Sequence, residues 1–248
     1  LFLGYSCDLF EDDPANNDDC KLINSSFNIP NDPAHGETSY TYNTDGKLTS
    51  IESSDWDRDP LPYKSRIQIN YSGDLVSDIH TFSTFMSDPE ERQFEYTFFY
   101  EAGVLDSVRF DGFNAFVNSD GYYLVEYSND QLMKVERFNY DNFMGVHNHY
   151  STSVLNWDAD NVSSVDVIVH SSSDTIRRVF SYDSMKPLID FSGLVFLENS
   201  YYRLSANNII KEEYYLNNTL SRTDNYSYSY TPEGYPMTSQ QIPNYPLY

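Results

Sequence analysis

One phrase recurs along this chain and limits what it can become. An aromatic residue is followed by a turn rich in Asn, Asp, Ser or Gly. An aliphatic residue comes five or six positions on, and an apolar residue three beyond that. Tyr42 leads in this way to Leu48 and Ile51, Tyr71 to Val76 and Ile79, Tyr100 to Leu105 and Val108, Tyr127 to Leu132 and Val135, Trp157 to Val162 and Val165, and Tyr182 to Leu188 and Phe191. Successive anchors stand 25 to 30 residues apart, the mark of a copied unit. Tyr230, Tyr235 and Thr238 read as a worn last copy, and the gap between Tyr182 and Tyr230 has room for one more around Leu204 and Ile209. The total is about seven or eight units.

Each unit is a β-hairpin. In RQFEYTFFYEAGVLDSVRF, Arg92 to Phe110, the rings of Phe94, Tyr96, Phe98 and Tyr100 alternate along an extended segment. Glu101, Ala102 and Gly103 make a turn, and Leu105, Val108 and Phe110 carry the chain back. Doubling the unit count gives an all-β, antiparallel up-and-down meander of roughly 14 to 16 strands. A sheet so wide escapes exposed edges by rolling up, and the aromatic load predicts a barrel or barrel-like sheet filled by side chains. The two aliphatic positions differ by three, so a regular strand would point them to opposite faces. Either the first belongs to the turn and folds over the hairpin's end, or both faces are buried, or, the preferred reading, a β-bulge in each unit restores parity and adds twist.

The Tyr-x4-Leu-x2-Ile/Val spacing, with turns such as YNTDGKLTSI and EYSNDQLMKV, resembles the tyrosine-aspartate (YD or RHS-type) repeats. It resembles still more a family of secreted Bacteroidetes lipoproteins described as having a porin-like β-fold. The resemblance covers roughly Thr38 to Thr238. It implies an exported β-protein and brings no catalytic residues with it.

Composition narrows the partners. Among 248 residues, 38 Asp and Glu oppose 15 Lys and Arg, a formal charge of −23. Such a surface repels the nucleic-acid backbone and anionic membrane faces, and leaves cations, neutral glycans and basic protein surfaces. The 23 Tyr and 16 Phe argue against disorder. Polar stretches such as TSIESSDWDRD interrupt any lipid-facing apolar band, so the barrel is expected to stand in water. No apolar run is long enough for a spanning helix.

Residues 1–37 read as an acidic N-terminal segment ahead of a repeat domain over 38–248. In LFLGYSCDLFEDD, Cys7 follows an apolar stretch and precedes acidic residues, as the lipidated Cys of a lipoprotein does, although Gly4 is a poor lipobox residue. Alternatively Cys7 and Cys20, the two cysteines, form a disulfide. Both readings place the protein outside the cytoplasm, at the outer membrane, the cell surface or in the periplasm. MSDPEER, Met86 to Arg92, reads as one helical turn, and Pro243 and Pro246 argue against a central strand in the tail.

Chemistry-bearing motifs are sparse. Asp55, Asp57 and Asp59 alternate like the first ligands of a calcium loop, but Pro60 stands where the loop should turn and Arg66 where its Glu should be. Solvated acidic turns are the plainer reading, with calcium the one cofactor the pattern allows. His147 and His149 share a strand face and so a conceivable transition metal, while His35, His80 and His170 stand alone. Trp56 and Trp157, each followed by Asp, suit sugar stacking. Trp157 occupies a repeat anchor, a core position, and Trp56 in a loop is the better ligand-binding candidate. No nucleophile elbow and no phosphate-cradling loop occur, and no carboxylate pair is singled out for glycoside hydrolysis. The expectation is an exported, non-enzymatic accessory or binding subunit, docked on an outer-membrane uptake or secretion complex. The alternative is a carbohydrate-binding module using loop aromatics, with a glycoside hydrolase as a third and less favoured reading.

Overall fold

A computed structural model describes residues 2–6, 24–28, 35–56, 63–84, 89–113, 120–185, 187, 195–198, 200–230 and 236–244. The first strands are β1 (Phe2–Ser6), β2 (Asn24–Asn28), β3 (His35–Tyr42), β4 (Leu48–Trp56), β5 (Tyr63–Ser72), β6 (Leu75–Thr84), β7 (Glu91–Glu101) and β8 (Val104–Gly112). There follow β9 (Gly121–Ser128), β10 (Gln131–Asp141), β11 (Val146–Asp158), β12 (Asn161–Val169), β13 (Asp174–Tyr182), β14 (Ile209–Leu216), β15 (Thr219–Tyr230) and β16 (Pro236–Asn244). Every strand pairs antiparallel with its sequence neighbours. The order closes where β1 meets β16, with Leu3 opposite Ser239, so the sheet is a barrel. The strand count is the upper one expected. The expected boundary at Thr38 falls inside β3, and β1 and β2 supply wall from the stretch before it.

The odd spacing within the repeat is resolved by the bulge. Tyr71 faces Val76 and Asn70 faces Asp78, so Ser77 is the extra residue. Asp106, Met133 and Ser163 are extra in the same place in their hairpins. Leu132 and Val135, or Val162 and Val165, therefore both point inward and are buried. Two-residue turns join several hairpins with both central residues at positive φ. These are Ala102 and Gly103 (51° and 83°), Asn129 and Asp130 (52° and 63°), and Asn217 and Asn218 (49° and 65°). That geometry matches the right-handed twist of the strands it connects.

The anchors have a second task. Tyr71 Oη donates to the Leu48 carbonyl at 2.8 Å, Trp157 Nε1 to Leu132 at 2.9 Å and Tyr182 Oη to Val162 at 2.7 Å. Each anchor thus ties its hairpin to the first aliphatic position of the preceding one. Tryptophan substitutes for tyrosine because the partner is a carbonyl and only a donor is needed.

Inside and outside differ in emphasis rather than absolutely. Tyr96, Phe98, Val108, Phe110, Tyr123, Val135, Leu155, Val165 and Phe180 line the interior. Their rings run in series, Tyr96 to Phe110 at 6.2 Å and Phe110 to Tyr123 at 5.2 Å between centroids. Arg137 lies among them, 5.2 Å from the Phe110 ring. On the alternate, outer positions the sheet carries ion pairs: Arg66 with Glu90, Arg109 with Asp111, Lys134 with Glu126, Arg177 with Asp166 and Lys211 with Glu213. Exposed pairs like these add little stability, but such a face suits water and would oppose burial in lipid.

A barrel of this girth is wider than wall side chains alone fill, and an insertion between β13 and β14 adds further side chains to the interior. Within it, α1 (Val195–Glu198) and a 3-10 turn (Tyr201–Leu204) bury Val195, Phe196 and Tyr201 against the wall. Phe196 packs edge-on to Phe98 at 5.9 Å and 5.5 Å from Tyr123, and Tyr201 Oη lies 3.2 Å from Ser153 Oγ. Ser205 Oγ accepts the Val162 N–H at 2.9 Å and donates to Tyr182 Oη at 2.8 Å.

Four expectations need correction. Tyr182 pairs across the sheet with Ile209, because the insertion separates the anchor from its aliphatic partner; Leu188 and Phe191 lie outside the described residues. Leu204 belongs to the 3-10 turn rather than to a strand. Glu91 and Arg92 open β7 instead of closing a helical turn, their backbones being paired with Ser83 and Phe82. The tail does form a strand, β16, since Pro236 is its first residue and Pro243 lies beyond Gln240, the last residue paired to β1.

Candidate functional site

At the end of the barrel where the repeat turns lie, wall and insertion leave a cavity of about 580 Å³. Its wall side is Phe98, Tyr100, Leu105, Tyr127 and Leu132; the last four are anchors and first aliphatic positions of two adjacent hairpins, and Phe98 is the inward neighbour two residues before its anchor. Val195, Phe196 and Leu204 of the insertion form the opposite side. The hairpin turns supply a polar rim of Asp74, Asn129 and Asp130.

The lining is uncharged within and acidic at the mouth. Burial pushes the Tyr100 and Tyr127 phenols above their ordinary value, and the Tyr100 hydroxyl is hydrogen-bonded to the Val76 backbone. For Tyr100 the neighbouring Tyr127 adds to the rise. On the rim, a hydrogen bond and ion pair from Lys47, 2.6 Å away, hold the Asp74 carboxyl below the usual range. Rings and aliphatic carbons thus lie within, and amide and carboxylate oxygens at the mouth.

The residues singled out in the sequence fall elsewhere. Trp157 is half-buried at its anchor, its indole N–H engaged by the Leu132 carbonyl. Trp56 and Asp55 end β4, where Trp56 is paired with His35; Asp57, Asp59, Cys7 and Cys20 lie outside the described residues. His147 and His149 do share the outer face of β11, but their rings part. His147 packs against Tyr122 and Tyr140, both at 5.0 Å, whereas His149 stacks on Phe138 at 4.6 Å and meets His170 at 3.9 Å. Among the described residues, no three His, Cys, Asp or Glu side chains gather where a metal ion would sit.

The sheet also brings together two carboxylates that the sequence did not single out. Glu212 and Asp224 are paired across β14 and β15 and point inward, 3% and 1% exposed. Each has an arginine: Arg178 Nε lies 2.5 Å from Glu212, and Arg222 Nε 3.0 Å from Asp224, the latter off the line of its N–H and so ionic in character. Glu212 occupies the second aliphatic position of its unit, the place held by Val165 or Val135 elsewhere. A charged residue there hid the unit from a hydrophobic pattern.

No family model matches the chain, and no curated protein sequence does. Among solved structures it is similar to a porin-like protein from Bacteroides uniformis ATCC 8492. That likeness has a TM-score of 0.55 at 11% identity and covers 98% of this chain and 96% of the other. It extends the shared feature to the β-barrel fold, while the resemblance to YD repeats rests on spacing.

Proposed function

We propose that this protein is an exported, non-enzymatic accessory protein of the outer membrane or cell surface, with a binding cavity at one barrel end in place of a channel. What most supports the reading is the distribution of chemistry across the wall. Ion pairs punctuate the outer positions, among apolar side chains such as Val154 and Ile168, and rings plus the inserted α1 and 3-10 turn occupy most of the inner ones, beside the buried Glu212 and Asp224. A conducting membrane barrel needs the reverse, apolar outside and polar within. The porin-like character of the Bacteroides uniformis protein adds to the case for an outer-membrane setting. A lipid on Cys7 would tether such a barrel, and a larger membrane complex would be its partner. Gentle detergent extraction of native membranes followed by affinity capture tests this. Recovery with the outer-membrane fraction and a stoichiometric larger protein is expected; a free monomer in the soluble cytoplasmic fraction would refute it.

A second reading, carbohydrate binding, is favoured by the cavity itself. Tyr100, Tyr127 and Phe98 supply ring surface and Asn129, Asp130 and Asp74 supply polar groups, so neutral glycan chemistry fits this site better than it fits Trp157. On a glycan array the wild type should give hits that Tyr127→Ala loses. No hits, or hits unchanged in Tyr127→Ala, would dispose of it.

A further inference from the structure

On the outer wall, away from the cavity, two imidazoles converge on one point. His149 lies on β11 and His170 just beyond β12, its backbone N–H bonded to the Tyr150 carbonyl at 2.9 Å. Their ring centroids are 3.9 Å apart. The Nε2 atom of His149 is 3.1 Å and that of His170 3.0 Å from the same oxygen, Thr152 Oγ1. One hydroxyl can donate to one ring and accept from the other, so the pair is satisfied as it stands. That arrangement nonetheless directs two ring nitrogens toward a common position a few ångströms above the sheet.

We propose that His149 and His170 form a surface site for a divalent transition-metal ion of the nickel, copper or zinc class. Imidazole nitrogen is the ligand these ions prefer, and small side-chain adjustments bring both Nε2 atoms within about 2.0–2.1 Å of one ion. The metal replaces the Thr152 hydroxyl as the shared partner of the two rings, and water completes its coordination. The Glu136 carboxylate stands 3.7 Å from His149 Nε2 and is engaged by Lys134 at 3.2 Å, so it adds favourable charge nearby without being a required ligand. With two protein ligands the site is open and exchangeable, unlike a closed structural zinc site. Stacking of His149 on Phe138, 4.6 Å apart with planes at 14°, fixes one ring in the orientation that binding uses.

This assignment separates cleanly from the one that spacing alone suggests. His147 is the nearer neighbour of His149 in sequence, but its ring is turned to Tyr122 and Tyr140. Calorimetric titration of the untagged chain with Ni²⁺, in a non-coordinating buffer with excess Mg²⁺ to occupy the carboxylate-rich surface, tests it. Wild type and His147→Ala should bind one Ni²⁺ alike. In His149→Ala and His170→Ala the affinity should fall roughly a hundredfold, the loss expected when a two-point attachment becomes a one-point one. The melting curves of the variants, read in parallel, show that each is folded. Absence of stoichiometric binding in the wild type, retained binding in His170→Ala, or loss in His147→Ala would overturn the proposal.

Discussion

At the scale of single residues, the account rests on what an anchor side chain does at both its ends. The ring fills the interior while its polar tip satisfies a carbonyl of the preceding hairpin, as in Tyr71 to Leu48 and Trp157 to Leu132. Trp157→Phe keeps a ring but strands that carbonyl, and should cost about 1–3 kcal/mol in denaturant unfolding. Trp157→Tyr, which restores a donor of the kind used in the other units, should recover much of the loss. Equal losses in the two variants would mean that only ring volume matters. The phenols make a second prediction. Burial pushes Tyr42 and Tyr201 from 10.0 up to about 12, Tyr42 helped by Tyr40. The folded state then holds protons that the unfolded chain releases above the ordinary phenol range, so stability falls as pH rises from about 10 toward 12. Ultraviolet titration should show one group of tyrosines ionising normally and another only at higher pH or on unfolding; a single transition near pH 10 would contradict it.

The element scale turns on the bulge and the insertion. Because successive side chains of a strand point to opposite faces of the sheet, neighbours along β11 have opposite fates: Leu155 is fully buried and Val154 is 39% exposed. Leu155→Ala should destabilise the protein by about 2–5 kcal/mol, while Val154→Ala should stay within about 0.5 kcal/mol of wild type. The insertion is held by a few polar contacts, chief among them Ser205, which serves both Val162 and Tyr182. Ser205→Ala leaves the buried Val162 N–H without its acceptor, at a cost of about 1–3 kcal/mol. In hydrogen exchange, the Val162 amide should lose protection in that variant more than amides of β5 and β6 do; uniform loss would show that the insertion does not act through this contact.

These elements also show where sequence reasoning reaches its limit. Anchors and aliphatic positions were legible because a copied hairpin repeats its spacing, and the odd interval within it pointed to a bulge as one of three ways to restore parity or bury both faces. The insertion was not. VFLE and YYRL alternate with no strand period, and they are addressed to an interior that exists only once the wall has closed. Glu212, an inward charge at an aliphatic position, removed the remaining cue. The cavity was half legible: Tyr100, Tyr127, Leu105 and Leu132 are repeat positions, but Val195 and Phe196 come from the insertion. His149 and His170 meet only through the pairing of β11 with β12, a contact that their separation in sequence does not announce.

For the whole molecule, one arrangement explains the composition. A chain rich in both rings and carboxylates turns much of the first inward and most of the second outward, and closure of the sheet provides the two surfaces; Glu212 and Asp224 inside and Tyr122 and Phe138 outside are exceptions. Closure also removes the edges that would otherwise invite pairing with other chains. Hydrogen exchange along β16, followed residue by residue, tests that closure most directly. With β15 on one side and β1 on the other, consecutive amides from Thr238 to Gln240 should all be protected beyond the level of an edge strand. Protection of alternate amides alone, with the others exchanging as freely as an unpaired chain, would mean that the sheet is open and the account of its interior is wrong.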